Sequence, residues 1–196
     1  MNLAVFASGR GSNLDVLAQR VADGRLPARI SLVVSNNSGS GALAVARRHG
    51  IPAAHLSAVT HPEADAYRDA MLALLDSHRV GMIVLAGFMK LVPAQVVARY
   101  PRRIVNVHPA PLPEFGGRGM YGLAPHRAVL AAGLRESAVC VHYVTAEYDQ
   151  GPLIDSRPVP IRPNDTPESL QRRAAAVEHD LSWRVIAGLL ACGGAA

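Results

Sequence analysis

An open, mostly parallel α/β sheet is the fold this sequence predicts, and three observations predict it. Short apolar segments alternate with longer ones whose apolar residues recur at helical spacing. Within the short segments apolar residues run continuously, the mark of parallel strands buried on both faces. After residue 108 proline and glycine break the rhythm, and two later strand-like segments have no helix between them. The expectation is a twisted sheet with helices on both faces and an antiparallel strand pair near the C-terminus.

The elements follow in order. Residues 2–7 read as a buried strand and 12–22 as the helix after it; 30–35 is a second strand, about 41–49 a helix, and 52–56 a short strand. Residues 63–77 are helical because Tyr67, Met71, Leu72 and Leu75 share one side. A fourth strand covers 80–86, a short helix 93–99, and a fifth strand 103–107, running out into Asn106-Val107-His108-Pro109. Residues 109–125 form a long loop containing Gly116-Gly117-Arg118-Gly119-Met120-Tyr121-Gly122, and long ordered loops are often functional. A helix over 125–132 precedes strands at 139–144 and 153–161, read as antiparallel neighbours. Thr166-Pro167-Glu168 combines a cap with proline at the first helical position. The last helix runs to about residue 190, and Gly193-Gly194 ends it. The chain reads as a single domain, 1–196, with a Rossmann-like, phosphate-binding half at 1–108 and a completing half at 109–196.

At 196 residues the chain can bury a full core without cross-links, and 49% hydrophobic with 18% charged residues is ordinary globular composition. Cys140 and Cys192 have neither disulfide-framework nor CxxC spacing, which suits a reducing cytoplasm. The first apolar run is too short for a signal peptide, and no span approaches membrane length. The formal charge of +5 is nearly all arginine, since Lys90 is the only lysine. Arg47-Arg48, Arg102-Arg103 and Arg172-Arg173 are scattered pairs and aromatics are only 5%, so no nucleic-acid groove is expected. A small anionic substrate is compatible with this surface.

Asn106 and His108 carry the strongest chemical signal. Two apart on a strand, they project from the same side and can address one substrate atom with a neutral donor and a proton carrier. They also stand at a strand's C-terminal end, where open α/β sheets place ligands. Asp149, in Glu147-Tyr148-Asp149-Gln150-Gly151-Pro152 at the end of another strand, can tune the histidine. Acyl-type transfer through an oxyanion needs such a trio. Taken singly, His108 reads as a structural histidine and Asp149 as a turn residue, so the argument depends on their pairing.

Ser8-Gly9-Arg10-Gly11-Ser12-Asn13-Leu14 places glycines and side-chain donors before a helix N-terminus, which suits an anion. Leu14 stands where a third dinucleotide-motif glycine would be, and no G-K-[ST] follows. A phosphate site and a plain capped turn both remain open on these residues alone. Cys140 reads as a buried thiol; His142, on the same strand face, is either core or site. Glu178-His179 reads as a solvated helix face. His108, His126, His142 and Asp149 lack the short paired spacing of zinc motifs, so no metal is expected. There is no G-x-S-x-G nucleophile elbow.

Together these segments resemble the folate-dependent glycinamide ribonucleotide transformylase family, the phosphoribosylglycinamide formyltransferases of purine synthesis. The resemblance spans nearly the whole chain, through Ser8 to Leu14, Val84-Leu85-Ala86-Gly87-Phe88-Met89-Lys90, Asn106-Val107-His108-Pro109, Val141-His142-Tyr143-Val144, Asp149-Gln150-Gly151-Pro152 and Glu178-His179. It implies that Gly11, Ser12 and Asn13 hold the substrate phosphate and that Glu178 sits at the glycinamide ribonucleotide. Met89, Lys90, Leu91 and Val92, with Asn106 and with Thr145, Ala146, Glu147, Tyr148 and Asp149, would line the site of 10-formyltetrahydrofolate, the co-substrate, making 109–196 the folate-binding half. Asn106, His108 and Asp149 match the catalytic trio. Asn106 and a protonated His108 would donate to the formyl oxygen, single donors of this kind being worth about 3–4 kcal/mol, with Asp149 favouring the imidazolium. No metal and no covalent intermediate is needed.

Three departures stand out. The loop reads His108-Pro109-Ala110-Pro111-Leu112-Pro113 where the family often has H-P-S-L-L-P. The following stretch is longer than in the shorter members and glycine-rich. Ala64 stands where some members carry an arginine toward the folate. Methionyl-tRNA formyltransferase would carry a further C-terminal domain and lack Gly11-Ser12-Asn13. Formyltetrahydrofolate deformylase would carry an N-terminal regulatory domain, which leaves a formyltetrahydrofolate hydrolase as the enzymatic alternative. A non-catalytic nucleotide- or folate-binding module gives no reason for the trio. Small-molecule substrates, no nucleic acid, no membrane and a cytoplasmic monomer or homodimer complete the expectation.

Overall fold

A computed structural model describes residues 1–193 and arranges them around one seven-stranded sheet. In chain order the elements are β1 (Asn2–Phe6), α1 (Ser12–Ala22), β2 (Arg29–Ser35), α2 (Gly41–Arg48), β3 (Ala53–His55), α3 (Ala64–Ser77), β4 (Met82–Leu85), α4 (Ala94–Arg99), β5 (Ile104–His108), α5 (Ala124–Ala131), β6 (Glu136–Tyr143), β7 (Leu153–Pro160) and α6 (Pro167–Gly193). The strand order is β3-β2-β1-β4-β5-β6-β7, with the first five parallel. The order reverses between β1 and β4, and at such a switch point the loops leaving the two strands diverge and open a crevice. No helix among the described residues is long and apolar enough to cross a membrane.

Continuous apolar strands serve two cores at once because side chains alternate in direction. From β1, Leu3 and Val5 join Leu14 and Leu17 of α1, Ala42 and Val45 of α2, Val129 of α5 and Leu170, Leu181 and Ile186 of α6. Ala4 and Phe6 face the other way, onto Met71 and Leu75 of α3 and Val96 of α4. Val105 and Val107 of β5 enter the first core and Ile104 the second, which leaves Asn106 and His108 at the strand's open end.

The start of α6 is set locally. Thr166 Oγ1 accepts from the Ser169 N–H (3.2 Å) and Ser169 Oγ accepts from the Thr166 N–H (2.9 Å), a reciprocal cap before a proline that needs no donor. Beyond shifts of one or two residues at element ends, expectation and structure part at β6 and α6. β6 begins at Glu136, earlier than expected, because its exposed Glu136 and buried Ser137 hide a strand start behind polar residues. It runs antiparallel to β5 as well as to β7, so the reversed segment is one strand inserted between two neighbours. α6 continues to Gly193, past residue 190, and Gly194 lies outside the described residues.

Candidate functional site

The loops leaving β1, β4 and β5 surround a cavity of about 670 Å³, closed on its other sides by the 117–122 loop, the connection before β7, and α6. Gly9 to Asn13, Met89 to Val92, Asn106, His108, Glu147, Tyr148, Asp149 and Glu178 all line it, so nearly every expected site residue converges there. Thr145 and Ala146 do not line it; the Thr145 hydroxyl is turned onto the Glu147 carbonyl at 3.2 Å. Ala64 is the first residue of α3, away from the cavity lining.

Gly11 of the first loop acts through packing. Gly11 caps α1 in the left-handed region (φ 82°), and a Cβ there would lie 2.7 Å from the Ala42 Cα. Gly9, by contrast, has open space where its Cβ would be. The loop is thus pressed against the start of α2 while its outer edge fronts the cavity, beside the partnerless first-turn N–H groups that any helix carries. Ser8, unremarked in the sequence, ties the switch point: its hydroxyl donates to Asn36 Oδ1 and accepts from the Met89 N–H (2.8 Å).

Glu178 does not lie on a solvated face. It accepts a hydrogen bond from Asn13 Nδ2 at 3.0 Å, joining α6 to the phosphate-type loop. Burial raises its carboxyl above the ordinary range, with Asn13 pulling weakly the other way.

Asp149 lies in the loop between β6 and β7, not at a strand end, with a left-handed φ of 56°. It accepts from Asn106 Nδ2 (3.1 Å) and from the Gly117 N–H (2.9 Å). Gly116 makes room for it, since a Cβ there would lie 2.8 Å from the Asp149 Cβ. Burial raises the Asp149 carboxyl, yet His142, His108 and the Gly117 N–H together outweigh it and hold the group below the usual range.

The histidines complete the arrangement. β5 and β6 pair with Asn106 opposite His142. His142 Nδ1 donates to the Tyr143 carbonyl (2.8 Å), and its Nε2 lies 3.1 Å from Asn106 Nδ2 and 3.4 Å from Asp149 Oδ1. Asn106 Nδ2 thus sits between the imidazole and the carboxylate and donates to Asp149. His108 Nε2 donates to the Phe115 carbonyl (2.8 Å), while Nδ1 lies 3.7 Å from Asp149 Oδ2, beyond hydrogen-bond reach. Burial lowers the affinity of His108 for a proton, and the Asp149 charge and Phe115 carbonyl only partly restore it. Desolvation thus opposes the expected protonation of His108 more than the aspartate favours it. The two expected oxyanion donors hold internal partners here.

His126, in the first turn of α5, also lines the cavity. It is fully buried, and neither ring nitrogen has a hydrogen-bond partner among the described residues. Burial, with His108 nearby, lowers it to about 4. Each unsatisfied buried polar atom costs about 1–3 kcal/mol. Sequence reasoning touched His126 only as one of several candidate ligands, and nothing in its local pattern marks it. Cys140 is the buried thiol expected.

An anion-type loop and a proton-handling centre at the switch point of an α/β sheet define a class of group-transfer protein. The chain belongs to the formyl transferase family, whose pattern matches residues 1–186. It is 38% identical over 188 residues to a chloroplastic phosphoribosylglycinamide formyltransferase of Arabidopsis thaliana, covering 95% of this chain and 64% of the relative. The chain thus spans somewhat less than two-thirds of that relative's length. It is 32% identical over 186 residues to phosphoribosylglycinamide formyltransferase of Escherichia coli (strain K12), covering 95% of this chain and 85% of the relative. The crystal structure of glycinamide ribonucleotide transformylase 1 from Symbiobacterium toebii superimposes with a TM-score of 0.91 at 35% identity, covering 98% of this chain and 88% of the other.

Proposed function

We propose that the chain transfers the formyl group of 10-formyltetrahydrofolate to the primary amine of phosphoribosylglycinamide, the step its relatives are named for. The observation that carries this reading is the convergence of Asn106, His108 and Asp149 on the cavity that the Gly9–Asn13 loop also lines. Gly11, Ser12 and Asn13 take the phosphate. Met89 to Val92 and the 147–149 segment take the folate, and Glu178, held by Asn13, takes the ribonucleotide.

The amine attacks the formyl carbon, a C–N bond forms, and negative charge develops on the formyl oxygen. Asn106 Nδ2 gives up its hydrogen bond to Asp149 and donates to that oxygen. His108 then carries the proton from the attacking nitrogen toward the departing folate nitrogen, with Asp149 offsetting the burial cost of the transient imidazolium. Breaking the bond to the folate nitrogen completes the transfer.

The test is a formyl-transfer assay on the purified protein with both substrates. Transfer is expected, with His108→Ala reducing kcat at least a hundredfold and Asp149→Asn lowering kcat while ligand binding persists. Release of formate in the absence of the amine substrate would instead establish a hydrolase. Binding of both ligands without turnover would leave a binding module.

A further inference from the structure

We infer that Ser8 is a positioning residue for the formyl folate, its hydroxyl setting the 87–92 segment against the phosphate-side loop; the inference rests on the function proposed above. Between β4 and α4 that segment has no regular structure, and Gly87 turns it through the left-handed region (φ 75°). Phe88 packs edge-on against Phe6, and Val92 is buried, so side chains hold the inner face. The backbone is tied elsewhere. Among the described residues its hydrogen bonds to the rest of the protein both run to Ser8. The Ser8 N–H donates to the Gly87 carbonyl (3.0 Å), and the Met89 N–H donates to Ser8 Oγ (2.8 Å). The N–H groups of Lys90 and Leu91, whose residues line the cavity, have no acceptor among the described residues.

The hydroxyl is aimed as well as placed. Ser8 is buried, and it gives its one proton to Asn36 Oδ1, which leaves its oxygen to accept from Met89. Asn36 follows β2, so one side chain links the exits of β1, β2 and β4. Losing that hydroxyl should be felt on one substrate only. The phosphate-side loop is held without it, since the Gly9 carbonyl accepts from the Ala42 N–H (3.1 Å) and the Gly11 carbonyl from the Asp15 N–H (2.9 Å). The folate-side backbone has no second tether of this kind. An N–H left without its partner favours rearrangement, and a small displacement of a reacting group is costly to transfer.

Ser8→Ala removes the hydroxyl and Ser8→Thr keeps it. In Ser8→Ala the KM for the formyl folate is expected to rise about tenfold and kcat to fall several-fold, while the KM for phosphoribosylglycinamide stays within about twofold. Threonine is expected to recover most of the loss. An unchanged folate KM in Ser8→Ala overturns the inference, as do two KM values that rise together with a lowered melting temperature. Amide hydrogen exchange in the unmodified protein decides whether or not a variant folds. The Met89 N–H is expected to exchange at least about tenfold more slowly than those of Lys90 and Leu91, and equal rates overturn the inference. If the unmodified protein transfers no formyl group to this amine, the proposed function falls, and this inference with it. If it does, the variants and the exchange rates decide.

Discussion

Two histidines of the cavity work against their own protonation, and that has a measurable cost in acid. His126 is lowered to about 4 against an ordinary value near 6.5, and His108 is lowered in the same direction. The unfolded chain therefore binds protons that the folded one refuses. Stability from these groups is complete above pH about 6.5 and is lost as pH falls toward 4. For His126 alone the loss between pH 7 and pH 5 is about 2 kcal/mol. Glu178, raised by burial, acts in the opposite sense above its ordinary range, so the histidine's part is isolated by difference. Urea midpoints at pH 7 and pH 5 are expected to fall further apart in the unmodified protein than in His126→Leu. Equal separations would show that the imidazole is not a buried neutral group. The residue scale was also where sequence reasoning met its limit. Asn106 and His108 were legible because strand alternation fixes their common side. The partners that occupy them, the Phe115 carbonyl and the Gly117 N–H, are backbone atoms of a loop and leave no trace in residue type.

At the scale of elements, the first loop and α2 interlock through missing side chains. Gly11 faces the Ala42 backbone, and a Cβ on Gly41 would lie 2.6 Å from the Arg10 carbonyl oxygen. Gly11→Ala is expected to destabilise the fold by about 2 kcal/mol or more, through both the positive φ and the collision. It should also weaken phosphate-dependent binding. A thermal melt with a titration of the amine substrate checks both, and an unshifted melt would show that the contact relaxes freely. The glycines in Ser8-Gly9-Arg10-Gly11 suggested an approach of backbone to ligand, yet for Gly11 the close neighbour is another helix. Only a tertiary contact distinguishes those cases. Helix α1, by contrast, was readable at both ends, since its apolar spacing and the preceding glycine are local. The start of β6 was not, because Glu136 and Ser137 take their strand conformation from pairing with Pro160 and Val159.

For the molecule as a whole, charge and topology meet at one opening. Arg10, Lys90 and Arg118 line the cavity without salt-bridge partners among the described residues, on a chain of formal charge +5. Both proposed substrates are anionic, so the protein's field is expected to speed their capture, and kcat/KM should fall several-fold between about 0.01 and 0.5 M salt. A flat salt profile from steady-state kinetics would exclude steering. The overall architecture was legible because apolar strands and amphipathic helices alternate along most of the chain. The pairing of β6 against β5 was not, although it sets Asn106 opposite His142. That pairing has a consequence for the timing of the proposed transfer. At rest Asn106 Nδ2 donates to Asp149 and His108 Nε2 donates to the Phe115 carbonyl, so neither expected donor is free for an arriving carbonyl oxygen. In the proposed transfer, one of these internal bonds has to be given up before a formyl oxygen is polarised. Activation would then follow ligand arrival rather than precede it.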